Sequence, residues 1–228
     1  MALMSETLPF TIMRTDELLD SARDLTDRKE GARAVLGLAG PPGAGKSTLA
    51  RALVEGLRRR YGPLAAAYVP LDGFHLSNAQ LERLGLTSRK GSPPTFDVHG
   101  YVALLRRLVV EGDHDIYVPD FDRTLDEPVA ARHVVRPGAE LVVTEGNYLA
   151  CELPGWSEAR GVMDEVWYVD ADPEERRRRL VERQVAGGRT PEEAREWVRT
   201  NDMPNAEIVE ASKGAPWVKR AFHWSGHD

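Results

Sequence analysis

The fold is decided by the stretch Gly40-Pro41-Pro42-Gly43-Ala44-Gly45-Lys46-Ser47. It has the spacing Gly-x4-Gly-Lys-Ser, in which successive backbone N–H groups curl around a phosphate and glycine keeps a Cβ out of the way. An apolar run at 34–39 predicts a buried strand before it. Leucine at every fourth position between 49 and 57 predicts a helix over 46–60 after it. Strand, glycine turn and helix in this order predict a phosphate-binding loop.

The same loop predicts the cofactors. A helix that begins near Lys46 points its positive end at the bound phosphates, so Lys46 is expected to reach the β and γ oxygens of ATP and Ser47 to ligate Mg²⁺. A GTPase would ordinarily carry Asn-Lys-x-Asp, which does not occur in this chain. The residues expected to contact the nucleotide are Gly40, Pro41, Pro42, Gly43, Ala44, Gly45, Lys46, Ser47, Thr48 and, from a later segment, Arg189.

Strand and helix patterns alternate along the rest of the chain. Further strands are predicted at 65–70, 141–144, 166–169 and, as a last short strand, 208–209. Helices are predicted at 15–29, 101–111, 173–186 and 191–201, and a hairpin is predicted from 116–118 and 133–135. This alternation predicts an α/β fold, the three-layer sandwich of P-loop NTPases, with a parallel sheet of about five strands and helices on both faces.

Length and composition predict one domain, 1–228, with a leading helix in 1–30, an insertion at 85–135 and a lid at 173–202. The net charge of −6 argues against a nucleic-acid partner. No apolar run approaches a membrane span, and the N-terminus does not resemble a signal peptide. The single cysteine, Cys151, is interpreted as a structural thiol and fits a cytoplasmic protein. The oligomeric state stays open, with a homodimer among the options.

Two acids follow predicted strands. Asp72 comes after the second strand and Glu145 ends the third, and the carboxyl ends of parallel strands meet at one edge of a sheet. Asp72 is therefore a candidate base for a substrate hydroxyl, and Ser47, Asp72 and Glu145 are candidate Mg²⁺ ligands. The alternatives are an Asx turn into Gly73 and a capped strand end. Asn147 is a candidate hydrogen-bond partner of the acceptor.

Four further motifs accompany the loop, namely Leu-Asp-Gly-Phe-His (71–75), Arg-Lys-Gly-Ser-Pro-Pro-Thr-Phe-Asp (89–97), Val-Pro-Asp-Phe-Asp (118–122) and Thr-Glu-Gly-Asn-Tyr (144–148). Over about 33–212 their order resembles the uridine kinase, pantothenate kinase and phosphoribulokinase superfamily. The chain is most similar to the bacterial nucleoside/nucleotide kinase-like branch, which includes kinases linked to fructose transport. The resemblance implies transfer of the γ-phosphoryl of ATP to a small-molecule hydroxyl, with Asp72 as catalytic base.

The resemblance also implies an acceptor pocket. The matching residues are Asp72, His75, Arg89, Lys90, Phe96, Asp97, Phe121, Asp122, Arg123 and Asn147. Uridine kinases carry a Tyr and a later His around the second segment, where this chain has Phe121 and then residues 124–127. Nucleosides, sugars and pantothenate-like compounds therefore remain open as acceptors. Surface charge is the alternative interpretation of Arg89 and Lys90.

An arginine-rich helix follows the fourth strand. Arg183 and Arg189 lie where the resemblance places lid arginines, which would neutralise charge on the transferring phosphoryl. The preferred interpretation of 176–178 is an exposed face paired with glutamates. Asn201, Asp202 and Asn205 come next, near the expected position of the ATP base.

Three functions are compatible with these motifs. The first is a small-molecule kinase in which Lys46, Asp72, Glu145 and Arg183 do the chemistry. The second is a P-loop ATPase or nucleotide-binding regulatory protein without an acceptor. The third is a binding module that lost catalysis, which the intact loop and acids disfavour.

Overall fold

The computed structural model describes residues 11–29 and 31–224, and within them the chain forms eight strands. They are β1 (Thr11–Ile12), β2 (Ala34–Ala39), β3 (Ala67–Pro70), β4 (Ile116–Asp122), β5 (Glu127–Val135), β6 (Leu141–Glu145), β7 (Glu165–Asp170) and β8 (Val218–His223). Six of these strands make one parallel sheet in the order β1-β8-β7-β2-β6-β3. The parallel α/β fold is confirmed, with six described strands where about five were expected.

Helices cover both faces of this sheet. They are α1 (Thr15–Asp27), α2 (Lys46–Tyr61), α3 (Asn78–Leu84), α4 (Val98–Val110), α5 (Trp156–Arg160), α6 (Pro173–Ala186), α7 (Pro191–Trp197) and α8 (Met203–Glu210). Side chains of α1 and α2 pack with Leu36 and Leu38 of β2 in one core cluster. Side chains of α4, α5 and α8 pack with Val35 of β2 in the other. Because both faces are covered, β2 is buried along its whole length, which explains its unbroken apolar run.

The N-cap signals predicted for α6 and α7 are confirmed. Asp172 caps α6 by accepting hydrogen bonds from the N–H groups of Glu174 and Glu175. Thr190 and Glu193 form the capping box of α7. These caps place the two starts at Pro173 and Pro191, as predicted.

The last predicted strand, 208–209, is wrong. Both residues lie in α8, where Val209 is buried against the sheet and Ile208 is exposed. Two β-branched residues are too short a pattern to distinguish a strand from one turn of an amphipathic helix. The final strand is β8, at Val218–His223, which pairs with β7.

The predicted hairpin exists and is longer than expected. Strands β4 and β5 pair antiparallel, with Val118 opposite His133, and the pairing continues to Asp122 and Glu127 near the tip. The hairpin packs on a 3₁₀ turn, Leu71–Phe74, that follows β3. A Cβ at Gly73 would lie 2.3 Å from the Pro119 carbonyl oxygen, so only glycine permits this approach. The close contact holds the hairpin beside Asp72.

Within the described ranges, no helix is both long and apolar enough to cross a lipid bilayer.

Candidate active site

A cleft of about 780 Å³ opens at the carboxyl edge of the sheet. The phosphate loop forms one wall, the β4–β5 hairpin and the segment around Lys90 form another, and α6 with the residues after α7 forms the third. Asp72, Glu145 and Asn147 come from the ends of β3 and β6 and line the floor. The fold therefore brings together side chains as far apart in sequence as Lys46 and Asn205.

The loop has the backbone that a phosphate cradle needs. Gly40, Gly43 and Gly45 all have positive φ. A Cβ at Gly40 would lie 2.0 Å from the carbonyl oxygen of Val169, so the turn passes directly over β7. Gly45 caps α2, whose first residue is Lys46. The helix N-terminus and the loop N–H groups thus face the same space, which favours an anion.

Lys46 is held in place by two hydrogen bonds to the protein. Its Nζ donates hydrogen bonds to the Pro41 carbonyl oxygen at 3.0 Å and to Asn147 Oδ1 at 2.7 Å. Burial lowers the pKa of Lys46 to about 8, against the opposing pull of the Glu145 and Asp72 charges. An anionic ligand would favour the protonated form and stabilise the charge at this position.

Glu145 joins the loop to the sheet. Its Oε1 accepts hydrogen bonds from Ser47 Oγ at 3.0 Å and from the Tyr68 hydroxyl at 2.9 Å. Burial and the nearby Asp72 raise the pKa of Glu145. A hydroxyl and two carboxylates are the hard oxygen ligands that Mg²⁺ prefers. Within the described residues, no group of three His, Cys, Asp or Glu side chains is arranged to hold a metal ion.

The Asp72 carboxylate faces the cleft. Its nearest charged partner is Arg123, with Nη2 3.7 Å from Oδ2. Its main-chain carbonyl accepts from the His75 N–H at 3.3 Å and lies 2.8 Å from His75 Nδ1. Among the described residues the carboxylate makes no hydrogen bond to the backbone of its own turn, as an Asx turn would require. The geometry therefore leaves this side chain available to a ligand.

An aromatic wall lies next to Asp72. The His75 ring is 4.1 Å from Phe96 and 4.9 Å from Phe121 between centroids. Burial lowers the pKa of His75, which favours the neutral form of the ring. Lys90 Nζ lies 5.0 Å from the Phe121 ring centroid and bonds to Asn78 Oδ1 at 2.6 Å and Asp126 Oδ2 at 2.8 Å. Lys90 thus fastens the hairpin tip to α3 and has little capacity left for an anionic ligand.

Three residues predicted for the acceptor pocket lie outside the lining of this cleft. Asp97 caps α4, with Oδ1 accepting from the Gly100 N–H at 2.8 Å. Asp122 accepts from two N–H groups at the hairpin tip and pairs with Arg132. Arg89 is exposed at the end of a 3₁₀ turn. Capping and turn roles explain the two aspartates, because their carboxylates are occupied by backbone donors. Gly40, Pro41 and Ala44 likewise shape the loop without lining the cleft.

Two predicted lid arginines line the cleft. Arg183 Nη2 lies 3.7 Å from Asp202 Oδ1. Arg189 donates to Gln184 Oε1 at 2.5 Å and stacks 4.2 Å from the Trp197 ring centroid. Arg183 and Arg189 line the same cleft as the phosphate loop, on the side where a triphosphate held by the loop would lie.

The interpretation of 176–178 as an exposed face needs a correction at Arg176. This side chain is buried, donates to the Ala171 carbonyl oxygen at 3.2 Å and pairs with Glu210, so it ties α6 to α8. Arg177 and Arg178 are exposed and pair with glutamates on their own helix, as expected.

Sequence reasoning missed three cleft contacts. Arg179 Nη1 donates to the Gly43 carbonyl oxygen at 3.2 Å, Trp197 supports Arg189, and Tyr68 holds Glu145. Arg176, Arg179 and Arg183 are spaced i, i+3 and i+7 along α6, so they share one helix face, and this spacing is the sequence signal that points to Arg179. Tyr68 lies inside an apolar strand, where nothing local marks a polar partner.

Comparison with known proteins identifies relatives of this chain. A family profile described as "AAA domain" matches residues 35–201. A Schizosaccharomyces pombe protein named "Putative uridine kinase" is 34% identical over 207 residues, covering 88% of this chain and 87% of that protein. The pantothenate kinase of Leifsonia xyli is 38% identical over 130 residues, covering 56% of this chain and 37% of that protein.

A solved structure of a protein named as a kinase has the same fold. The crystal structure of a "putative fructose transport system kinase" from Silicibacter sp. matches with a TM-score of 0.82 at 32% identity. The match covers 92% of this chain and 99% of that one. Relatives and structure therefore share the kinase designation while naming three different acceptors or pathways.

Proposed function

This chain belongs to the P-loop kinase family, and on that premise we propose that it transfers the γ-phosphoryl group of ATP to a hydroxyl group of a small molecule. The observation that carries the proposal is the position of Asp72. Its carboxylate lies in one continuous cleft between the phosphate loop and the His75–Phe96–Phe121 wall. A side chain at that junction can face both a bound triphosphate and a bound acceptor.

Each residue has a defined part in the transfer. The loop N–H groups and Lys46 hold the β and γ phosphates. The acceptor oxygen attacks the γ phosphorus in line, the bond to the β–γ bridging oxygen breaks, and ADP leaves. Asp72 takes the proton of the attacking hydroxyl. Arg183 and Arg189 place positive charge over the transferring group, which stabilises the charge that develops there.

The oxygen ligands around Ser47 suit Mg²⁺. When bound to ATP, that ion would neutralise charge on the β and γ oxygens. Ser47 and Glu145 would hold it, and this assignment is supported by the hydrogen bonds that the Ser47 and Tyr68 hydroxyls donate to Glu145 Oε1. Asp72 is close enough for its charge to act on both Glu145 and Lys46.

The acceptor is the finer part of the proposal. A uridine kinase, a fructose transport kinase and a pantothenate kinase among the relatives support the classes nucleoside, sugar and pantothenate-like compound. The aromatic wall suits the flat or apolar face of such a molecule, with Asn147 as a polar contact at the floor.

An ADP-release screen over these classes tests the proposal, with each product checked by mass for one added phosphate. The expected result is ADP formation that depends on the added compound and yields its phosphate ester. ATP turnover that no compound accelerates would contradict the kinase proposal and favour an ATPase.

A further inference from the structure

Arg189 is a cleft arginine whose guanidinium group is held by uncharged partners. It lies in the short connection between α6 and α7. Its Nη1 donates a hydrogen bond to Gln184 Oε1 at 2.5 Å, and its guanidinium carbon lies 4.2 Å from the centroid of the Trp197 ring. The main-chain N–H of Arg189 also donates to the Gln184 carbonyl oxygen at 3.2 Å. One residue of α6 and one of α7 therefore fix both the backbone and the side chain of Arg189.

The two lid arginines differ in their charged neighbours. Arg183 Nη2 lies 3.7 Å from Asp202 Oδ1, so a carboxylate offsets part of its charge. Among the described residues Arg189 forms no such ion pair. Glu193 lines an adjoining pocket together with Arg189, but the N–H and the hydroxyl of Thr190 already donate to its Oε2 at 2.8 and 2.9 Å. The positive charge of Arg189 is therefore not offset by a carboxylate in direct contact.

Uncharged partners leave the charge of Arg189 available to a ligand. A carboxylate in their place would neutralise the guanidinium and would have to be displaced before a phosphate oxygen could bind it. The face of an indole attracts a cation without carrying a net charge of its own. A guanidinium has five N–H groups, of which Gln184 Oε1 occupies one. Arg189 is thus oriented without being neutralised.

The connection that carries Arg189 needs such support. Gly188 has a φ of +100°, and a Cβ placed there would meet no atom within 4 Å, so tertiary packing does not hold this turn. A long arginine side chain on a loosely packed turn loses many rotamers when it is fixed in one direction. Trp197 lines the cleft beside Arg189 and limits those rotamers. A charge that is already in position requires no reorganisation during phosphoryl transfer.

We propose that Trp197 and Gln184 are positioning residues for phosphoryl transfer, which hold the guanidinium of Arg189 in the cleft without neutralising it. Neither residue has to touch the phosphates, because both act through Arg189. The inference rests on the proposed function and adds to it two residues and the requirement that their contacts with Arg189 be uncharged.

The variant Gln184→Glu separates positioning from packing. The new carboxylate keeps the shape of the side chain and should bind Arg189 more tightly, so the melting temperature should be preserved or raised. Because it also neutralises the guanidinium, the single-turnover rate of γ-phosphoryl transfer should fall roughly tenfold. Gln80→Glu is the matched control, because Gln80 contacts Arg83 in the same way outside the cleft lining, and it should transfer at the wild-type rate. A wild-type rate in Gln184→Glu would overturn the inference.

A double-mutant cycle tests whether Trp197 acts through Arg189. Trp197→Leu keeps an apolar side chain but removes the π face, and should lower the transfer rate roughly 3- to 30-fold, whereas Trp197→Phe should retain most of it. Arg189→Ala alone should cost roughly 10²–10³-fold. In that background Trp197→Leu should cost nothing further. Arg195→Ala, which removes an exposed partner of Glu192 on the same helix, is the control and should behave like the wild type. Thermal melts establish that each variant is folded.

The outcomes separate this inference from the proposed function. If Trp197→Leu lowered the rate by the same factor with and without Arg189, the inference would be overturned while the kinase function stood. A folded Trp197→Leu that transfers as fast as the wild type would have the same meaning. If the wild type transferred the γ-phosphoryl group only to water, the proposed kinase function would fail. The same cycle, measured on phosphate release, would then support the inference if the losses were non-additive and overturn it if they were additive.

Discussion

The two ends of the cleft are built in different ways. The phosphate end is eight consecutive residues, 40–47, whose glycines, helix start and buried lysine form one local structure. The acceptor end is assembled from side chains of the 3₁₀ turn after β3, the β4–β5 hairpin, the end of β6 and the start of α8. Backbone geometry supplies the first and tertiary packing supplies the second.

That difference separates what is general in this protein from what is particular to it. A backbone cradle recognises any triphosphate of the right size, because its donors are peptide N–H groups. In the proposed function, the acceptor end would recognise its ligand through side chains such as His75 and Phe121, which a relative can exchange without disturbing the sheet. Relatives with one fold and several acceptor names are the expected result.

Removal of the loop lysine should damage the phosphate end most. Lys46→Ala removes the positive charge that faces the β and γ oxygens, both when ATP is bound and in the transition state. We expect kcat/KM for ATP to fall by roughly 10⁴-fold, with weaker ATP binding as well. Steady-state kinetics and nucleotide titration measure the two effects. If Lys46→Ala had the ATP affinity and the turnover rate of the wild type, residues 40–47 would not be the phosphate-binding loop.

Asp72 tests the junction between the two ends. Asp72→Asn keeps the shape of the side chain but cannot accept the proton, so kcat should fall by roughly 10²–10⁴-fold. ATP affinity should stay near that of the wild type, because Lys46 and the loop remain intact. Single-turnover kinetics with bound ATP isolates the step. A variant with near-normal transfer would show that Asp72 is not the base.

The pKa of Lys46 gives the phosphate end a distinctive pH dependence. Burial lowers this pKa to about 8, so the attraction for ATP is nearly complete at pH 7 and is lost as the pH rises through the pKa. ATP affinity should weaken about tenfold between pH 7 and pH 9. Nucleotide titration across this range measures it, with Lys46→Met as the control that should show no such slope. A flat profile in the wild type would exclude Lys46 as the titrating contact.

A substitution at Asp97 tests whether a residue beside the acceptor end, but outside the cleft lining, affects the acceptor. Its carboxylate caps α4 and does not line the cleft. Asp97→Ala should therefore cost about 1 kcal/mol of unfolding free energy and leave the KM for the acceptor unchanged. Denaturant unfolding and acceptor kinetics read the two quantities separately. A raised KM for the acceptor with an unchanged free energy of unfolding would show that Asp97 takes part in acceptor binding.

The sequence predicted the parts of the molecule that depend on local pattern. Strand β2, the loop and the capped starts of α6 and α7 came from residues next to one another in the chain. Arg176, Tyr68 and Lys90 were not predictable in this way, because their roles depend on Glu210, Glu145 and Asp126. Those partners lie 34 to 77 residues away. The acids Asp72 and Glu145 fall between these cases, since a topological rule about parallel strand ends was enough to place them at one edge.

The destination of the γ-phosphoryl group tests the central claim most directly. ATP labelled with ³²P at the γ position is incubated with the wild-type protein and the acceptor that the ADP-release screen identifies, and labelled acceptor and labelled inorganic phosphate are separated and counted. The account predicts that nearly all of the label moves to the acceptor and that Asp72→Asn slows this transfer by roughly 10²–10⁴-fold. Label that appears in inorganic phosphate at a rate unaffected by the acceptor would contradict it.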